Sequence, residues 1–74
     1  MGIGNNIRRA REAKGYTTRQ LGERVGVNAS TICRWESDEK TPMLRHLFRL
    51  AAELEVEVAE LTAIHKAPES IIAQ

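Results

Sequence analysis

Residues 18–37 read TRQLGERVGVNASTICRWES, and this stretch decides the fold. Two short segments with helical spacing flank Gly26, Val27 and Asn28. Two helices joined by about three residues and crossing near a right angle make specific demands of their sequence. Leu21 and Val25 must enter the core from the first helix, and Ile32 and Trp35 must anchor the second from behind. The residue at the crossing must be small, as Gly22 is, so that the helices can approach. The turn needs a residue that accepts positive φ, which Gly26 supplies, and an apolar plug, which is Val27. All of these residues stand in register.

Punctuation extends the reading outward. A first helix is expected over about residues 5–14, closed by Gly15 as a left-handed cap. Thr17 caps the helix over about residues 18–25, and Gln20 at its third position completes a capping box. Asn28 caps the helix over residues 29–35. A polar loop follows, after which Thr41 should cap a fourth helix with Pro42 in its first position. Residues 43–54 carry an apolar stripe of Leu44, Leu47, Phe48, Leu50, Ala51 and Leu54. A fifth helix is expected over about residues 59–64, and Pro68 breaks any continuation. The result is an all-α domain of five short helices over residues 1–66 with a tail over 67–74. No internal repeat or hairpin signal appears.

The chain has 74 residues, which suffices for one small core. Its single cysteine, Cys33, excludes an internal disulfide, so packing must hold the fold. No zinc-ligand spacing, signal peptide or membrane-length apolar run is present, which makes a soluble cytoplasmic protein the expectation. Net charge is +1, but it divides into +5 over residues 1–34 and −4 over residues 35–74. Such a molecule can turn its basic half toward a polyanion. The plainer reading is two solvated helix faces.

The stretch from Ile7 to Leu61 resembles the lambda-repressor-like, Cro/repressor (Xre-type) helix-turn-helix DNA-binding domains. The resemblance rests on Ile7-Arg8-x-x-Arg11, Lys14-Gly15-Tyr16-Thr17, Leu21-Gly22, Gly26-Val27-Asn28, Ser30-Thr31-Ile32-x-Arg34-Trp35-Glu36, Pro42 and Leu47-x-x-Leu50-Ala51. It implies a five-helix transcriptional regulator, a repressor binding a two-fold operator as a homodimer. It also implies that Ala29, Ser30, Thr31 and Arg34 face base edges in the major groove. Thr17 and Thr18 would hold a phosphate at a helix N-terminus. Arg8 or Arg9, Asn28, and Lys40 from the following loop would meet the DNA backbone. Arg11 and Glu36 would form a semi-buried salt bridge. Three departures stand out: family members commonly have glutamine at Thr18, alanine at Gly22, and glycine with basic residues in place of Ser37, Asp38 and Glu39.

Other residues weigh toward structure. Trp35 and Tyr16 read as packing, Cys33 as a small side chain, His46 and His65 as solvated, and Glu53, Glu55, Glu57 and Glu60 as an acidic rim. No nucleophile, base and orienter can be assembled, so an enzyme is not expected, and neither a cofactor nor a metal is implied. The competing function is an antitoxin or co-regulator that binds chiefly a protein partner. If Gly22 is only a spacer, Gly22→Ala should stabilise the helix. Surplus apolar residues place the expected dimer contact at Leu61, Ile64, Ile71 and Ile72.

Overall fold

A computed structural model of the chain describes residues 2–63. Five helices lie in that span: α1 (Gly4–Lys14), α2 (Thr18–Val25), α3 (Ala29–Glu36), α4 (Leu44–Leu54) and α5 (Val58–Thr62). No strand occurs among the described residues. The expected tail boundary, together with Ile64, His65, Ile71 and Ile72, lies outside them.

Local chemistry accounts for the ends of α2 and α3. The Thr17 hydroxyl oxygen accepts from the Gln20 amide at 3.0 Å, and the Gln20 side-chain oxygen accepts from the Thr17 amide at 2.9 Å. This reciprocal box satisfies a donor that the helix cannot reach. At the other end Gly26 adopts φ 91°. That left-handed turn lets the amides of Gly26 and Val27 both donate to the Gly22 carbonyl, at 2.7 and 2.9 Å. Asn28 then starts α3, its side-chain oxygen accepting from the Thr31 amide at 3.2 Å.

The core draws on every helix. Ile7 of α1, Leu21 and Val25 of α2, Ile32 and Trp35 of α3, Leu47, Leu50, Ala51 and Leu54 of α4, and Leu61 of α5 are buried together. Val27 packs half-buried against them. α1 touches α3, α4 and α5, while α2 packs on α3 and α4. Asn6 fastens the last helix to the first: its side-chain amide donates to the carbonyls of Leu61 and Ala63, at 2.9 and 2.7 Å.

The structure corrects several expectations. α4 begins at Leu44, with Met43 extended at the cap position and no side-chain cap. Thr41 and Pro42 therefore precede the helix. Pro42 is buried there, so packing rather than helix initiation accounts for it. Leu44 and Phe48 of the apolar stripe face solvent, because the core side of α4 is already occupied by Leu47, Leu50, Ala51 and Leu54. Leu61 is 1 % exposed, so it cannot serve a dimer contact; its side chain fills the chain's own core. His46 is half-buried, with its ring 5.2 Å from that of Trp35 and its Nδ1 enclosed without a hydrogen-bond partner.

Gly22 is more than a spacer. A Cβ there would stand 2.6 Å from the Val27 carbonyl oxygen and 3.2 Å from the Asn28 carbonyl carbon. Both neighbours are backbone of the turn, which cannot swing aside as a flexible side chain can. Overpacking of this kind costs about 1–3 kcal/mol, against roughly 1 kcal/mol gained from alanine's helix propensity. Since the turn carries two hydrogen bonds to Gly22 itself, the clash should prevail. Gly22→Ala is expected to lower the melting temperature by roughly 4 °C or more, the shift for about 1 kcal/mol in a domain this small. A thermal scan showing a higher melting point would restore the spacer reading.

Candidate functional site

One guanidinium fixes the position of α3. Arg11 Nε and Nη2 donate to the two Glu36 carboxylate oxygens at 2.6 and 3.1 Å, and Nη1 donates to the Tyr16 carbonyl at 2.9 Å. The side chains are 13 % and 7 % exposed, so the pair lies largely out of water. Hydrogen bonding to Glu36 raises the Arg11 pKa above its ordinary value, burial opposes this, and the Glu36 charge adds to the rise. Arg8 lies beside the same carboxylate, its Nε 3.9 Å from Glu36 Oε1.

The outer face of α3 is polar and ordered. The Asn28 side-chain oxygen accepts from the Ser30 hydroxyl at 2.9 Å and from the Thr31 hydroxyl at 2.9 Å, besides the Thr31 amide. Ser30 and Asn28 are exposed, and Thr31 and Ala29 are half-exposed. Arg34 lies one turn beyond Ser30 and 56 % of its side chain is exposed. The nearest Glu39 carboxylate oxygen is 4.0 Å from its Nε, which is too long to immobilise it. Cys33 is also exposed on this helix. The structure thus brings Ser30 and Arg34, one turn apart, onto the exposed side with half-exposed Thr31 at its edge, while Ile32 and Trp35 are buried on the other.

α2, which packs on α3, begins at Thr18 after the Thr17 cap. Thr17 is exposed and Thr18 half-exposed there. The capping box already engages the Thr17 and Gln20 amides, and the first two amides of the helix lie beyond the reach of intrahelical partners, as at anion-binding helix ends. Sequence reasoning missed Arg19, the next residue, whose side chain is 83 % exposed. The available signal was a cation in the first turn of a helix already assigned to phosphate. Lys40 is exposed in a loop that folds over the end of α3, with its amide donating to the Arg34 carbonyl at 3.3 Å. Asp38 anchors that loop by accepting from the Gly4 amide at 3.0 Å. Arg9 lines a cleft of about 410 Å³ between α1 and α5, together with Glu60 and Leu61.

The acidic half is not a uniform solvated rim. Glu53 meets both Arg24, at 3.6 Å, and Arg49, at 3.3 Å, and Glu55 meets Lys14 at 3.0 Å. Arg24 also lies over the Tyr16 ring, 4.6 Å from its centre. These pairs engage two cations of the basic half, Lys14 and Arg24, away from the exposed face of α3.

Comparison with known proteins agrees with this arrangement. The family described as helix-turn-helix matches residues 7–61. The P22 c2 repressor in complex with a synthetic operator superposes with a TM-score of 0.79 at 29 % identity, over 84 % of this chain and 94 % of that one. SinR, the master regulator for biofilm formation, in complex with DNA gives 0.74 at 35 % identity, over 80 % and 95 %. Antitoxin HipB of Escherichia coli is 25 % identical over 68 residues, which is 92 % of this chain and 77 % of HipB.

Removing one partner of a buried ion pair leaves the other charge uncompensated. Glu36→Ala should therefore cost about 3–5 kcal/mol of stability, measured by urea denaturation. A loss below about 1 kcal/mol would rank the Arg11–Glu36 contact with ordinary surface pairs.

Proposed function

Because the chain belongs to the helix-turn-helix family, we propose that it is a sequence-specific double-stranded DNA-binding transcriptional regulator, a repressor that reads the major groove with α3. One observation carries this reading. Ser30 and Arg34 project together, with Thr31 at the edge of the same face, from a helix whose rear is locked by Ile32, Trp35 and the Arg11–Glu36 pair. A helix fixed from behind can present hydrogen-bonding groups to base edges without paying for their ordering on contact.

The roles divide by chemistry. Arg34 has the reach and the fork geometry to donate two hydrogen bonds to guanine O6 and N7, a pattern unique to that base in the major groove. Ser30 and Thr31, with Ala29 beside them, face neighbouring bases. The hydroxyls of Ser30 and Thr31 are already oriented by Asn28. Thr17, Thr18, Arg19, Asn28, Arg8 and Lys40 meet phosphates, which set register and affinity but carry no base information. Two copies on a two-fold operator would place their α3 helices about one helical turn apart, roughly 34–36 Å. The chain acts by binding, not catalysis, and in the cytoplasm. The relation to antitoxin HipB supports a protein partner in addition to DNA.

Selection of bound duplexes from a randomised pool tests the reading, with a palindromic site as the expected product. On that site Arg34→Ala should cost about 1–3 kcal/mol per contact and relax preference at one guanine position. Arg8→Ala should weaken every sequence alike and reduce the salt dependence by about one ion per contact. Salt titrations on the selected site and on a guanine-substituted one separate the two effects. If Arg34→Ala weakens both duplexes equally while Arg8→Ala alters base preference, α3 is not the reading helix.

A further inference from the structure

Among the described residues, the exposed large apolar side chains are Met43, Leu44 and Phe48, all in or beside the first half of α4. Phe48 is 57 % exposed, and Leu44, one turn earlier on the same side, is 63 % exposed. Phe48 does not stand on a flat surface. It joins Val25 of α2 and Ala52 of α4 in a groove of about 490 Å³ bordered by Arg45, His46 and Arg49. None of the residues assigned above to DNA lines this groove.

Its border is cationic. Arg45 forms no ion pair with any described residue, and Arg49 shares the single carboxylate of Glu53 with Arg24. An apolar floor inside a cationic border is complementary to a helix with an apolar stripe flanked by carboxylates. We propose that this groove docks an acidic amphipathic helix of a protein partner, with its apolar stripe over Phe48 and Leu44 and its carboxylates on Arg45 and Arg49. Two other occupants fit less well. A second copy meeting this face by two-fold symmetry would set the arginine border against its own image, because such a contact brings the same patch from both sides. Nucleic acid would use the arginines but would leave the exposed Phe48 and Leu44 unexplained.

The test uses the intact chain and a fluorescein-labelled synthetic helical peptide with leucines on one face and glutamates beside them. Its control is the same peptide with every glutamate replaced by lysine. Fluorescence anisotropy should show the acidic peptide binding about ten-fold more tightly than its lysine counterpart. Phe48→Ser should weaken it by about ten-fold, and the double variant Arg45→Ala/Arg49→Ala by about as much. Amide shifts in a heteronuclear NMR titration should centre on Val25, Phe48 and Ala52. The arginine pair keeps the test decisive if Phe48→Ser disturbs folding. Equal binding of the two peptides, no binding, or indifference to both variants would overturn the proposal. So would a self-association in sedimentation that Phe48→Ser abolishes, which assigns the face to a second copy. A loss of operator affinity in Arg45→Ala/Arg49→Ala would assign it to DNA and overturn it equally.

Discussion

The Arg11 guanidinium is the joint on which the arrangement of the first three helices depends. It leaves α1, accepts no substitute geometry for its fork, and reaches both carboxylate oxygens at the last residue of α3. Its remaining nitrogen holds the Tyr16 carbonyl, immediately before the Thr17 cap of α2. One side chain therefore sets the end of α3 against the beginning of α2. Its partner Glu36 is nearly out of water, and hydrogen bonding to that carboxylate favours the protonated form of Arg11. A buried pair is a weak source of net stability, but it is intolerant of misplacement. Here that intolerance acts as a specification: α3 must end where the guanidinium can meet it.

The same constraint explains why an eight-residue helix can serve as a rigid reading element. Alone, α3 would be too short to persist in water. It is held at its start by Asn28, from behind by Ile32 and Trp35, and at its end by Glu36. Neither Ser30 nor Arg34 belongs to the buried anchors behind the helix, which leaves both available for recognition. The loop that follows continues this logic. Asp38, in a left-handed conformation at φ 66°, accepts from the Gly4 amide and returns the chain to the N-terminus of α1.

Much of this was legible in the residues themselves because local chemistry decides it. The Thr17–Gln20 box, the left-handed Gly26 and the Asn28 cap all act within a few residues, and each stands where its spacing places it. The Arg11–Glu36 pairing followed from the family resemblance, not from spacing. What escaped the sequence is decided by approach between segments. Gly22 and Gly4 both sit where backbone presses on backbone, Gly22 against the turn and Gly4 against the carbonyls of Trp35 and Glu36. The sequence marks Gly22 as a small residue at the crossing but not how closely the turn stands over it, and no periodicity announces Gly4. The same holds for Asn6, buried and bonded to the end of α5, and for the apolar stripe of α4, which is wider than the core it faces. Periodicity reports that a residue is apolar; only packing decides whether Phe48 or Leu61 fills the interior.

The most direct test of the central claim is a heteronuclear NMR titration of the chain with its selected operator duplex. The largest amide changes should fall at Thr17, Thr18, Asn28, Ser30, Thr31 and Arg34, with Glu53, Glu57 and Glu60 unmoved. Changes centred on the acidic residues of α4 and α5, with α3 silent, would contradict the assignment of α3 as the helix that enters the groove.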